Sequence, residues 1–250
     1  MEVIELPETD STNSWVERNR ASLSGDCLVY AVSQTAGRGQ RGNSWESEPG
    51  KNLTASALVH PVGVLPQWQF LISEAVALAV VDFLAPLGVE ARVKWPNDVY
   101  AGNKKICGIL IGHAVMPGVI MHTVAGIGIN INQRTFLSDA PNPVSVWELT
   151  GVEHDIADLA AGLAAVLSER LTALYREIAE TDDMERVATH SEFMRKMWRG
   201  DGCFYPFFDR NAGEWICARI SGVALDGTLS LETASGETRT YAFKEVEFLL

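Results

Sequence analysis

The chain has 250 residues, 47% hydrophobic and 21% charged, a balance that suits a folded core and excludes disordered, collagenous and coiled-coil chains. Its 20 Lys and Arg against 32 Asp and Glu leave a net charge of −12, the wrong sign for a protein that lives on a phosphate backbone, so nucleic acid is not an expected partner. The longest apolar stretch, residues 75–81, stops at Asp82, well short of the roughly 18 residues of a spanning helix, so no membrane is expected. The acidic start Met1-Glu2-Val3-Ile4-Glu5 has no signal-peptide form. Cys27, Cys107, Cys203 and Cys217 are dispersed, without a Cys-x-x-Cys pair, as in a protein of the reducing cytoplasm.

Residues 3–6 form the first strand candidate. Asp10-Ser11-Thr12-Asn13 gathers N-cap residue types ahead of Trp15-Val16-Glu17 and predicts a helix start. Residues 27–32 read as a strand running into a glycine-rich segment at 34–50, and residues 53–59 as the next strand. Over residues 67–84 apolar side chains fall on nearly every face, as in a helix buried on a sheet, and Pro86 and Gly88 end it. Residues 89–93, 106–113 and 119–131 read as strands, the last two joined by a turn at Met116-Pro117-Gly118. Ile156, Leu159, Leu163, Val166, Leu167, Leu171, Leu174 and Ile178 trace one helical stripe. After Trp198-Arg199-Gly200-Asp201-Gly202 come short strand runs at 215–220, 228–231 and 237–243, with turns at Asp226-Gly227 and Ser235-Gly236. The expected architecture is α+β: a mixed sheet with helices over residues 1–200 and a small SH3-like barrel over 201–250.

Chemistry concentrates in three segments. Gly37, Gly39 and Gly42 satisfy Gly-x-Gly-x-x-Gly after a strand, but that motif must open a helix to hold a pyrophosphate, and Pro49-Gly50 forbids one. No Gly-Lys-Ser/Thr follows, which excludes a P-loop. Interleaved with Arg38 and Arg41, the glycines instead describe a loop, disordered before ligand arrives, whose amides and guanidinium groups close over an anion. In Lys94-Trp95-Pro96-Asn97-Asp98 the X-Pro break forces extended geometry and sets Lys94, Asn97 and Asp98 at a strand end. Lys104-Lys105-Ile106-Cys107-Gly108 opens a strand with two cations and places Gly108 where a ligand can approach the backbone. Taken singly, each segment also fits a plain surface loop or a solvated strand edge.

Together, and in this order, Asp10-Ser11-Thr12-Asn13, the segment Gln34-Thr35-Ala36-Gly37-Arg38-Gly39-Gln40-Arg41-Gly42, Lys94-Trp95-Pro96-Asn97-Asp98, Lys105 with Gly108-Ile109-Leu110, and Gly126-Ile127-Gly128-Ile129-Asn130 resemble biotin protein ligase, the biotin-acetyl-CoA-carboxylase ligase family. The resemblance runs from about residue 4 to the C-terminus. It implies a catalytic domain related to class II aminoacyl-tRNA synthetases and lipoate ligases, an SH3-like C-terminal domain, and no metal held by the protein itself. The implied reaction activates biotin with ATP, accompanied by Mg2+, to biotinoyl-5′-AMP. The biotinoyl group then passes to a lysine of a biotin carboxyl carrier protein or domain. A homodimer is among the family's arrangements.

Carried over residue by residue, the resemblance implies that Ser11, Thr12, Asn13 and Gln34 bind the ureido ring of biotin. Gly37, Arg38, Gly39 and Gln40 form the closing loop, Trp45 lids the biotin tail, and Gly108 lies against it. Lys105 bridges the biotin carboxylate and the α-phosphate, with Arg38 as a second catalytic cation and Asp98 orienting the acceptor lysine. Arg41, Lys94, Asn97, Asn130 and Tyr241 complete the ATP side. Two departures stand out: only ten residues precede Ser11, leaving no room for the winged helix of repressor-type members, and Gln40 replaces an arginine of the closing loop. The expected consequence is looser retention of the adenylate. A lipoate or octanoate ligase and a catalytically silent adaptor are the competing readings; Ser11, Thr12 and Gln34 disfavour the first, and intact Arg38 and Lys105 the second.

Overall fold

The structure, a computed structural model, describes residues 1–137 and 142–249, apart from the side chain of Arg41. Strands β1 (Glu2–Thr9), β2 (Cys27–Gln34), β3 (Leu53–Val59), β4 (Ala91–Lys94), β5 (Asp98–Ala101), β6 (Lys104–Met116) and β7 (Val119–Ile129) form one sheet in the order β1-β2-β3-β7-β6-β5-β4. β1 and β2 run parallel and every other neighbouring pair antiparallel. The hairpin at Met116-Pro117-Gly118 is as expected. β5, only four residues long, was not: with the turn at Trp95-Pro96-Asn97 it makes a β4–β5 hairpin where one strand end was predicted.

The helices are α1 (Thr12–Asn19), α2 (Phe70–Leu84), α3 (Val146–Thr150), α4 (Ile156–Glu180) and α5 (Ala188–Lys196). Helix α4 begins where the Asp155 carboxylate accepts from the amides of Ala157 and Asp158. Its predicted stripe, from Leu163 through Leu167 to Leu174, is buried against α2 and one face of the sheet. On α2, Leu71, Ile72, Leu78 and Leu84 are each fully buried, worth about 1.5–3 kcal/mol apiece on removal from water. The helical stretch 66–87 is long and apolar enough to cross a membrane, and the expectation built on residues 75–81 overlooked it; 72% of its apolar window is buried inside the protein, which makes it a core helix. Its charges are absorbed internally, Glu74 by His190 at 2.8 Å and Asp82 by Arg170.

The second face of the sheet is covered differently. Helix α1 packs there through Val16 against Cys27, Val29, Leu58 and Val124, which covers only part of the face and leaves an open cleft beside it.

Five further strands, β8 (Tyr205–Asp209), β9 (Glu214–Val223), β10 (Leu229–Thr233), β11 (Thr238–Tyr241) and β12 (Val246–Phe248), make an antiparallel sheet in the order β11-β10-β9-β8-β12. β8, β12 and α5 were not foreseen. β8 reads Tyr-Pro-Phe-Phe-Asp without clear alternation, and β12 is three residues long. This sheet shares a continuous apolar core with the larger one. The Trp95 indole donates to the Gly227 carbonyl at 2.9 Å. A Cβ at Gly227 would lie 2.8 Å from the Phe70 ring, so the β9–β10 turn can seat on the start of α2 only as glycine.

Candidate active site

The cleft is built on a row of register partners that crosses the sheet: Thr54 on β3 pairs with Gly128 on β7, Gly128 with Gly108 on β6, Gly108 with Asp98 on β5, and Asp98 with Lys94 on β4. A second row runs Ser56, Gly126, Leu110. Polar and charged side chains thus end a floor whose middle consists of glycine, and the space above it amounts to about 920 Å³. Of the expected residues, Ser11, Thr12, Asn13, Gln34, Arg38, Gly39, Gln40, Trp45, Lys94, Asn97, Asp98, Lys105, Gly108 and Asn130 all line this one cleft.

At the β3 end lies a neutral polar cradle. Gln34 Oε1 accepts from the Thr12 amide at 2.7 Å and from its hydroxyl at 3.2 Å, and the Thr12 hydroxyl also lies 2.9 Å from Ser56 Oγ. Ser11 is buried at the N-cap of α1, its own amide held by Asp10. Thr54 and Ser56 were not anticipated as lining residues, although their alternation with Ala55 and Ala57 in β3 is the period-2 signal that points them to one face. Buried hydroxyls and amides in mutual contact suit a neutral ring rich in donors and acceptors.

The glycine-rich loop differs from expectation. It is folded back rather than disordered: Trp45 donates its amide to the Gly37 carbonyl at 2.9 Å, Gly39 to Asn43 at 2.7 Å, and Thr35 and Ala36 to Thr9 and Asp10. Gly37 is not itself a lining residue; a Cβ there would lie 2.5 Å from the Trp45 carbonyl, so glycine is what lets the two strands of the loop close. Trp45 does not hang over the cleft as a lid but rests on its floor. Added Cβ atoms at Gly108 and Gly128 would come within 2.8 and 2.4 Å of its indole. The close approach expected of a ligand at Gly108 is therefore made by Trp45. The indole N–H of Trp45 and the Gln40 Oε1 are both buried without a partner among the described residues, an arrangement a ligand can satisfy. Arg38 is exposed and donates to Ser14 Oγ at 3.2 Å. The side chain of Arg41 lies outside the described residues.

The other end is cationic. Lys105 Nζ sits 2.7 Å from Asp98 Oδ1 and 5.8 Å above the Trp45 ring. Lys94 Nζ lies 5.1 Å over the rings of both Tyr100 and Phe248. Burial pulls the Lys94 ammonium below its ordinary pKa, with the Asp98 carboxylate opposing. The Asn97 amide is spent on the Ile109 carbonyl at 2.6 Å, and that of Asn130 on Val144 at 3.1 Å, so both brace the backbone around the cleft. Cys107 beneath this end is fully buried and its thiol is pushed up by that burial, which removes it as a nucleophile.

The second sheet closes the cleft with Phe243, Lys244, Val246, Glu247 and Phe248. Tyr241, expected against the nucleotide base, is not among them. It is 2% exposed, and its hydroxyl donates to Asp209 at 2.8 Å inside the second sheet. Strand alternation turns Tyr241 into that sheet's core, and the turn two residues later faces the cleft instead.

A family model, that of the biotin/lipoate A/B protein ligases, matches residues 3–130. The chain belongs to this family. Among curated relatives, the bifunctional ligase/repressor BirA of Escherichia coli is 34% identical over 176 residues, which is 69% of this chain and 54% of that protein. The biotin--[acetyl-CoA-carboxylase] ligase of Mycobacterium tuberculosis is 34% identical over 173 residues, 66% of this chain and 62% of that one. The matches thus span about half the length of the bifunctional relatives. Among solved structures, the biotin protein ligase of Aquifex aeolicus in complex with biotin and ATP superposes with a TM-score of 0.73 at 24% identity, covering 98% of this chain and 97% of that one. The fold of that structure, mixed α/β with one large sheet, is the fold of this chain.

Proposed function

We propose that the chain is an ATP-dependent biotin protein ligase acting in two steps. A carboxylate oxygen of biotin attacks the α-phosphorus of ATP, the bond to the bridging β-oxygen breaks, and pyrophosphate leaves with its electron pair, giving biotinoyl-5′-AMP. The amine of an acceptor lysine then attacks the acyl carbon, AMP departs, and the nitrogen loses a proton. The carrying observation is that a neutral hydrogen-bonding cradle at Thr12, Gln34 and Ser56 and a cationic end at Lys94 and Lys105 share one cleft. Direct attack by the acid needs positioning and charge stabilisation rather than a protein nucleophile. Lys105 holds the biotin carboxylate and α-phosphate together, Arg38 neutralises the phosphate from the loop, and Asp98 orients the acceptor amine and takes its proton.

Magnesium would enter with the nucleotide as part of the substrate. The acceptor in this reading is a biotin carboxyl carrier protein or domain. Residues 1–200 form the class II synthetase-like catalytic unit and residues 201–250 the SH3-like one, a division supported by the five short antiparallel strands of the second sheet. The free thiols support a cytoplasmic setting, and the exposed edge at β1 supports pairing of two chains. The test is ATP–pyrophosphate isotope exchange with biotin, lipoate, octanoate or no acid. Exchange with biotin alone is expected; exchange with lipoate or octanoate would move the chain to the sister activity, and none with any acid would refute the adenylation step.

A further inference from the structure

We infer that Gln133, shortly past the end of β7 at Ile129, is a positioning residue for the acid substrate: it holds the chain that follows Trp45 and so keeps the Trp45 indole on the glycine floor of the cleft. The consequence for biotin rests on the ligase reading above. Trp45 has little of its own to hold it in place. Its amide is tied to the Gly37 carbonyl at 2.9 Å, but its indole N–H is buried without a partner among the described residues. The ring itself rests against Gly108 and Gly128, with Lys105 Nζ 5.8 Å away. Where it lies is therefore set by the backbone on its two sides. The upstream side is fixed at Gly37, whereas the downstream side, residues 46–52, has no helix or strand to hold it.

Gln133 supplies that hold. It is fully buried. Its Oε1 accepts from the Glu48 amide at 3.1 Å and from Asn52 Nδ2, and its Nε2 donates to Glu46 Oε1 at 3.3 Å and to the Thr135 carbonyl at 2.9 Å. Both acceptor sites of the oxygen and both N–H groups are thus used, and three of the four partners lie between Glu46 and Asn52. Two further bonds run between the same segments: the Leu137 amide donates to Glu46 Oε1 at 2.8 Å, and the Ile131 amide to Asn52 Oδ1 at 3.0 Å. Serving all four partners takes an uncharged side chain of this length with two donors and two acceptors. Methionine would leave the Glu48 amide without its acceptor, glutamate would set a carboxylate against that of Glu46, and asparagine falls one methylene short. Trp45 and Glu46 line the cleft and Gln133 does not, so Gln133 reaches the substrate only through them.

The test is a double-mutant cycle on Gln133→Met and Trp45→Ala in the full chain, read in biotin-dependent ATP–pyrophosphate exchange. Gln133→Met should raise the biotin KM about tenfold while the ATP KM stays within about threefold, as a misplaced contact to the acid requires. In the Trp45→Ala background the same substitution should change the biotin KM by less than about twofold, because its route to the substrate is gone. Gln133→Asn, which keeps the amide, enters the same cycle should Gln133→Met fail to fold. A second readout needs no substrate: acrylamide quenching of Trp45, taken as the difference between each chain and its Trp45→Phe variant, should rise about twofold on Gln133→Met as the ring gains exposure. Equal effects of Gln133→Met in both backgrounds, an unchanged biotin KM, or an ATP KM that rises as much as that of biotin would overturn this inference and leave the ligase reading standing. Absence of biotin-dependent exchange by the wild type would refute the ligase reading, and quenching would then decide the hold on Trp45 by itself, an unchanged value overturning it.

Discussion

Replacing Lys105 by alanine removes the cation that sits 2.7 Å from Asp98, with the two side chains 25% and 18% exposed. A phosphate oxygen brought to about 4 Å from that ammonium gains about 4 kcal/mol at an effective dielectric near 20. Loss of one donor to a developing oxyanion costs about 2.7–4 kcal/mol in enzymes generally. The two figures agree, so biotin-dependent ATP–pyrophosphate exchange should fall by about 10²–10³-fold. Part of that loss comes from Asp98, whose carboxylate is left unpaired beside the incoming phosphate. Lys105→Ala with Asp98→Asn should therefore exchange about 3–10 times faster than Lys105→Ala alone, by removing like-charge repulsion. Biotin binding, governed by the cradle at the far end of the cleft, should change by less than about tenfold, so the defect appears in kcat for exchange. Exchange by Lys105→Ala within threefold of wild type would take Lys105 out of the mechanism, and a double variant no faster than the single would refute the charge repulsion assigned to the unpaired Asp98.

Gly128→Ala places a Cβ 2.4 Å from the Trp45 indole; the ring must leave the floor, and biotin KM should rise at least tenfold with the fold intact by circular dichroism, whereas an unchanged KM would show that the Trp45 position does not matter. Gln40→Arg restores a loop cation and should slow release of biotinoyl-AMP; equal off-rates in a trapping assay would dissociate Gln40 from retention. Folded protein should expose two thiols to an aromatic disulfide reagent, Cys203 and Cys217, and all four only after denaturation; rapid labelling of Cys107 would contradict its burial. The Glu74 carboxylate raises the pKa of His190 above 6.5 in the folded state. The folded chain therefore binds more protons than the unfolded one, so this stabilisation is fully present below about pH 6.5 and is lost as pH rises through the folded value. Urea midpoints measured from pH 6 upward should fall across that window, and His190→Gln should remove the slope; a midpoint that rises with pH would reverse the assignment.

Local pattern made much of this molecule legible. The stripe on α4 follows from a 3.6-residue period, the turns at Met116-Pro117-Gly118 and Asp226-Gly227 from residues that accept turn conformations, and the family from five motifs in order along 250 residues. These features depend on residues close together in the chain, where backbone sterics and side-chain spacing act without help from the fold. What only the tertiary structure decided lies in register and in contacts across the chain. Nothing local aligns Thr54, Gly128, Gly108, Asp98 and Lys94 into one row; that requires five strands to pair at one register, because a slip of a single residue would turn each side chain to the opposite face. The same alternation sends Tyr241 into the second sheet's core and leaves Lys244 on the cleft. Trp45, separated from Gly128 by more than eighty residues, rests on the floor because two strands that have no Cβ at that point leave a space the size of an indole. The sequence alone marked most of the polar residues that line the cleft, and long-range strand pairing decided where each of them points.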